Sequence, residues 1–184
     1  MRKLKLQVQM TVDGFVGAGD GGMQWARRDW DDALKQYVGA LSEPVDCIVL
    51  GRKLAQGFIP YWAANPKQEG AEIFNNAHKV VFTRTLEKSE WENTELARGG
   101  LVQEIGRLKN QPGGDMIAYG GAAFVADLIA HDLLDEYHLF INPAAIGTGL
   151  NIFGQVQGLH RLELVAATPF ACGIVVLQYR PGRG

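Results

Sequence analysis

A surplus of charge of one sign is missing from this sequence: 18 Lys and Arg stand against 20 Asp and Glu, a formal net charge of −2 over 184 residues. Without a basic run to neutralise phosphates, the balance argues against a nucleic-acid-binding role driven by phosphate neutralisation. Long hydrophobic runs are missing too. No apolar stretch approaches the ~18 residues that a membrane helix needs. The start, Met1-Arg2-Lys3-Leu4, passes straight into alternating polar and apolar residues instead of a signal-peptide core. The expected setting is the cytoplasm, with neither nucleic acid nor membrane as partner. Cysteine is scarce, and Cys47 and Cys172 each sit inside an apolar run, which predicts buried reduced thiols and neither a disulfide framework nor a metal site. The four histidines, His78, His131, His138 and His160, lack metal-ligand spacing. Neither the H-x-E with P-C-x-x-C signature of zinc deaminases nor a G-x-S-x-G nucleophile elbow occurs.

Glycine, at 23 residues, is plentiful and dispersed among apolar runs. That placement suits turns between strands and helices, and close approach of backbone to a ligand. Leu4 to Met10 alternates with period two and reads as a strand. Trp30, Ala33, Leu34, Tyr37, Val38 and Leu41 form a helical stripe whose first turn holds Asp31 and Asp32. Short apolar runs follow at Cys47 to Leu50, Val80 to Phe82, Met116 to Tyr119 and Tyr137 to Ile141. Helical segments lie at Lys53 to Phe58, Leu101 to Leu108 and Ala122 to His131. Ala63 to Gly70 reads as a surface loop. Continuous apolar strands separated by helices imply a mostly parallel sheet covered on both faces. Leu162 to Ala167 and Ile174 to Tyr179, joined by a short polar and glycine-containing link, imply a C-terminal antiparallel hairpin. The expectation is one α/β domain over residues 1–184: an open, mostly parallel central sheet flanked by helices.

In such a sheet ligands bind beyond the carboxyl ends of the strands. Three segments follow strands there: Gly51-Arg52-Lys53, Thr83-Arg84-Thr85 and Gly120-Gly121-Ala122. A Gly-Gly turn opening a helix exposes backbone N–H groups at the positive end of the helix dipole, which suits a pyrophosphate. Arg52 and Arg84 suit a phosphate monoester such as the one on the adenosine ribose of NADP. Bare turns and surface charges are the competing readings. The stretch from Gly17 to Gly22 matches G-x-G-x-x-G by spacing, yet Thr11 to Val16 separate it from the first strand and no helix start follows. It reads as a flexible loop or lid.

Six short motifs in order, Val12-Asp13-Gly14-Phe15-Val16, Gly22-Met23-Gln24-Trp25, Val49-Leu50-Gly51-Arg52-Lys53, Val81-Phe82-Thr83-Arg84-Thr85, Tyr119-Gly120-Gly121 and Ile146 to Phe153, resemble the dihydrofolate reductase superfamily. The branch they resemble most is the reductase domain of the bacterial riboflavin-biosynthesis protein RibD. The resemblance covers nearly the whole chain. It implies a dihydrofolate reductase-like fold, NADPH as hydride donor, and a small heterocyclic substrate that is pterin-like or an aminopyrimidine of the riboflavin-precursor type. It also implies that Gly51, Arg52, Lys53, Thr83 and Arg84 hold the adenosine ribose and its phosphate, while Gly120, Gly121 and the amide of Ala122 hold the pyrophosphate. Departures are Leu54, where the family often has Thr, and Thr11-Val12-Asp13-Gly14-Phe15, which replaces the riboflavin branch's usual turn. Within these 184 residues no counterpart of the bifunctional enzyme's deaminase half is expected.

Hydride transfer to a C=N or C=O carbon needs an oriented acceptor and a proton. The resemblance implies a carboxylate a few residues beyond Trp25 at the start of the first helix: Asp29, with a raised pKa in a dry pocket, is the first catalytic candidate, Asp31 or Asp32 could take that place, and the competing reading is that Asp29 caps the helix or stabilises its N-terminus. Asp13 is the second, against a turn role before Gly14. Phe15 and Trp25 are candidate substrate-pocket walls, or core. A non-catalytic NADPH- or nucleotide-binding relative is the alternative function. The apolar C-terminal strands predict a homodimer through an otherwise exposed edge.

Overall fold

A computed structural model describes residues 1–182. Eight strands form one sheet: β1 (Leu4–Thr11), β2 (Val45–Gly51), β3 (His78–Phe82), β4 (Thr94–Ala97), β5 (Asp115–Ala118), β6 (Glu136–Asn142), β7 (Leu162–Pro169) and β8 (Val175–Pro181). Their order is β4-β3-β2-β5-β1-β6-β8-β7. The six strands from β4 to β6 are parallel, whereas β8 runs antiparallel to β6 and β7 antiparallel to β8. This is the expected α/β architecture. The terminal hairpin is inserted backwards, so that the last strand pairs with β6 and β7 becomes the edge.

The helices are α1 (Asp32–Ser42), α2 (Arg52–Ala64), α3 (Ala71–Asn76), α4 (Leu101–Lys109) and α5 (Ala122–Ala130). Because side chains alternate across a strand, consecutive core residues feed different layers. Cys47 and Val49, Met116 and Ala118, and Leu4, Leu6 and Val8 pack with Ile105 and Leu108 of α4 and Val125 and Leu128 of α5. Ile48, Leu50, Val81 and Ile117 pack on the other face with Leu41, Ala55 and Ile59 of α1 and α2. Central strands buried on both sides explain their unbroken apolar runs. β1 is different. Its second face carries Lys5, Gln7 and Gln9, and Lys5 and Gln7 are buried. Lys5 Nζ lies 2.8 Å from Asp115, as a buried ammonium requires.

Three expectations are corrected. The first helix begins at Asp32, with Asp31 as N-cap accepting from the Leu34 N–H, so Asp29 lies outside it. Gly39 tolerates the helix interior, but Trp30 does not join it. α3 and β4 stand where the sequence pattern predicts no element. One is six residues long and ends in Asn75-Asn76, the other is a four-residue edge strand, and both are too short for a periodic signal. Cys47 is buried, Cys172 is half-buried, and both are free thiols.

Candidate functional site

Three strand-to-helix junctions meet at the carboxyl edge of the parallel sheet. Gly51 is the N-cap of α2, Gly100 of α4 and Gly121 of α5, and none of these caps offers a side-chain hydrogen bond. The first N–H groups of all three helices therefore lack the partner that a Ser, Thr, Asp or Asn cap supplies. A groove of about 1110 Å³ opens among them, bordered by Arg52, Lys53, Thr83, Arg84, Gly120, Gly121 and Ala122. That is slightly above the usual size of a small-molecule site, roughly 300–1,000 Å³.

Each junction has its own reason for glycine or a small residue. A Cβ on Gly51 would stand 2.8 Å from the Cβ of Phe124, so α5 can pack against β2 only if that position is bare. Gly121 has φ +80, a region that L side chains avoid, and a Cβ there would still have room at 3.6 Å from Leu54. Gly120, at φ +137, faces open space on the groove side. The turn is thus held open by backbone conformation.

Charge is distributed unevenly along the groove. Arg84 is exposed and makes no hydrogen bond or ion pair among the described residues, Lys53 makes none, and the Arg52 guanidinium reaches only the Gln56 amide at 3.2 Å. These three cations have no anionic partner among the described residues, and Asp127 of α5 is a carboxylate on the same groove. Thr83 is buried, and its Oγ1 accepts from the N–H groups of Thr85 and Leu86 at 3.1 and 3.0 Å. It shapes the turn that presents Arg84. Towards β1 the groove becomes apolar: Phe82 and Phe124 pack at 5.2 Å between centroids, and Val8, Val16, Met23 and Leu150 continue the wall. Tyr119 also borders it, and burial pushes its pKa upward.

The remaining sequence-predicted residues are not brought to this groove. Asp29 is exposed, hydrogen-bonded to the Arg27 guanidinium (Nε to Oδ1, 3.0 Å), and its pKa is lowered chiefly by that bond. It is an ionised surface carboxylate, opposite to the raised pKa expected of it. Asp13 is also exposed. Its carboxylate accepts from the N–H groups of Ile146 (3.1 Å) and Gly147 (2.7 Å), tying the turn after β1 to the segment after β6. The pKa of Asp13 is lowered first by a hydrogen bond with Thr11, then by these amides. Phe15 and Trp25 are half-buried and do not border the groove. The glycine segment does reach it, through Gly19, Asp20 and Gly21. Its base is fastened by a bridge between Gly17 and Leu150, and Gly22 N–H donates to Asp20 Oδ1 at 2.8 Å. Sequence reasoning missed Gly100, Phe124 and Gln9. Gly100 carried a findable signal, a glycine directly before an amphipathic run.

A parallel sheet with a phosphate-suited groove at its carboxyl edge and an antiparallel C-terminal strand pair defines the dihydrofolate reductase-like class. The family described as the RibD C-terminal domain matches residues 2–176, and the chain belongs to it. It is 28% identical over 183 residues to the uncharacterized protein YyaP of Bacillus subtilis, covering 97% of this chain and 94% of that one. A deaminase/reductase of Thermotoga maritima, a diaminohydroxyphosphoribosylaminopyrimidine deaminase/5-amino-6-(5-phosphoribosylamino)uracil reductase, superposes with a TM-score of 0.73. That match has 18% identity and covers 98% of this chain and 57% of that one. Enterococcus faecalis dihydrofolate reductase, complexed with NADP(H) and RAB-propyl, gives 0.67 at 17% identity, covering 98% and 97%. At these identities the structural matches establish the fold. No helix among the described residues is long and apolar enough to cross a membrane.

Proposed function

We propose that this protein is an NADPH-dependent reductase that transfers a hydride to a pterin-like or aminopyrimidine-type heterocycle. The observation that carries the reading is the convergence of three helix N-termini without side-chain caps and three unpaired cations, Arg52, Lys53 and Arg84, on one groove. Helix N-termini and guanidinium groups together suit a ligand with several phosphates. Family membership supports a reductase-type fold, and the Enterococcus relative is complexed with NADP(H).

The residues present fit such a cofactor. The Gly120-Gly121 turn and the N–H groups opening α5 suit the pyrophosphate, while Arg52 and Arg84 suit the ribose phosphate. Lys53 adds positive charge at the same end. The apolar β1 end, walled by Val8, Val16, Met23 and Leu150, suits the uncharged nicotinamide and excludes water around it. When bound, NADPH supplies the hydride. This chain's part is to bind, orient and desolvate, with the proton drawn from solvent: neither Asp29 nor Asp13 borders the groove, and the carboxylates that do border it are Asp20 of the glycine segment and Asp127 of α5. That same observation favours a second reading, an NADPH-binding relative without turnover. Titration with NADPH tests the first step. Loss of NADPH absorbance in the presence of pterin and aminopyrimidine acceptors then separates a reductase from a binder, and absence of NADPH binding overturns both.

We also propose that the protein is a homodimer joined through β7. This edge strand exposes Leu164 (58%) and Val165 (52%) side by side, because a register shift between Leu164 and Ala166 turns neighbouring side chains outward. An exposed apolar edge is ordinarily covered. Sedimentation of the native chain and of Leu164→Lys checks it: the native chain sediments as a dimer and the variant as a monomer, whereas a monomeric native chain refutes the proposal.

A further inference from the structure

Gln9 stands near the carboxyl end of β1, half-buried, and borders the groove. Its neighbour Val8 also borders the groove but turns its side chain to the opposite face of β1; Val16, Met23 and Leu150 are the other apolar residues there, and the nearby Asp20 is exposed and spends Oδ1 on its own turn. What sets Gln9 apart is that the direction of its amide is fixed by logic internal to the fold. The Arg27 N–H, which can only donate, lies 2.9 Å from one amide atom of Asn142, so that atom is Oδ1. The other is Nδ2, which donates to the Phe140 carbonyl at 3.0 Å and to Gln9 at 2.8 Å. The Gln9 atom receiving that bond must be Oε1. Asn142 is fully buried, which makes this arrangement costly to reverse. Gln9 Nε2 is left with two N–H donors and no acceptor among the described residues.

We propose that Gln9, with its amide locked by Asn142, is the specificity-determining contact for the heterocycle, donating Nε2–H to a carbonyl oxygen or unprotonated ring nitrogen. The inference rests on the reductase reading above and deepens it. A donor fixed in an apolar wall selects for an acceptor edge. An amino-substituted, protonated edge would place donor against donor, with a polar group left unpaired away from water. The favoured substrate class is therefore an uncharged oxo-heterocycle, and a protonated diamino-heterocycle is disfavoured.

A matched pair of probes on one ring skeleton tests this: lumazine, which presents carbonyl oxygens, and 2,4-diaminopteridine, which presents amino donors and a protonatable ring nitrogen. Both are titrated into the NADPH-saturated full chain, native and with Gln9→Met or Gln9→Glu. The native protein binds lumazine in preference. Gln9→Met keeps the side-chain length and removes the donor together with the acceptor for Asn142, whose Nδ2 keeps the Met10 and Phe140 carbonyls, so it weakens lumazine by about three- to tenfold, the size of one hydrogen bond. Gln9→Glu can still accept from Asn142 while turning an acceptor to the groove, and it reverses the preference towards 2,4-diaminopteridine. NADPH affinity stays at the native value in both variants, which separates a specificity contact from a structural defect. An unchanged preference in both variants overturns the proposal, as does failure of the native protein to bind either pteridine. If NADPH does not bind the native chain, the reductase reading fails separately. The same titrations without cofactor then decide Gln9, whose role survives only if the preference still depends on it.

Discussion

Replacing Arg84 with Ala separates the proposed NADPH contact from the fold. The guanidinium is exposed, follows β3 directly, and has no hydrogen bond or ion pair among the described residues, so its removal changes fold stability by no more than about 0.5 kcal/mol. The buried Thr83 hydroxyl, which holds the turn by accepting from Thr85 and Leu86, is untouched. Against a ribose phosphate, a unit charge at ~4 Å gains about 1–4 kcal/mol across effective dielectric constants of 80 to 20. The exposed setting favours the low half of that range. A loss of about 1–2 kcal/mol is expected, roughly a five- to thirtyfold weakening of NADPH, while NADH, lacking the extra phosphate, changes little. The discrimination should also shrink as salt rises, because an exposed pair is screened over about 10 Å at 0.1 M ionic strength. Calorimetric titration of both cofactors into native and variant protein at two salt concentrations reads all of this. Equal weakening of NADPH and NADH, or no preference in the native chain, refutes the assignment of Arg84.

Gly121→Ala should cost about 1–2 kcal/mol of stability, because an L residue is forced to φ +80 although its Cβ has room. Thermal melts should fall by about 2–8 °C, and an unchanged melting temperature would show that the turn relaxes. Asp29→Asn should leave turnover within about threefold of native, since this carboxylate is exposed and bonded to Arg27; a loss beyond about a hundredfold would restore it as the proton donor. Beside Asp13, Asp29 and Asp31, whose pKa values are also lowered, Glu136 contributes to the acid dependence of stability. The His138 ring and then the Lys3 ammonium, 3.4 and 2.7 Å away, hold its pKa down at about 2 against partial burial. A depressed folded pKa means stability fully present above the unfolded value near 4.5 and lost as pH falls towards 2. Glu136→Gln should therefore be less stable by about 2 kcal/mol at neutral pH and lose less of its stability between pH 4.5 and 2. Urea unfolding at both pH values checks it, and parallel acid limbs for native and variant would contradict it.

The sequence by itself determined the layers. Cys47, Ile48, Val49 and Leu50 are apolar without a break because β2 is covered on both faces, and that pattern could be read without coordinates. It also determined that Arg52, Thr83-Arg84 and Gly120-Gly121 meet at one groove, since each follows a strand directly and a parallel sheet brings its strand ends to one edge. What lay beyond it were the contacts between segments far apart in the chain. Asp29 and Asp13 have the composition of catalytic groups, but Arg27 neutralises one, and the amides of Ile146 and Gly147, 133 and 134 residues on, engage the other. Gln9 has the composition of an ordinary strand residue, and only Asn142, packed beside it through the pairing of β1 with β6, turns its amide into a directed donor. Local pattern decides burial and backbone because both depend on neighbours in sequence. The direction and ionisation of a side chain depend on neighbours in space, and those exist only once β1, β6 and the segments between them have come together.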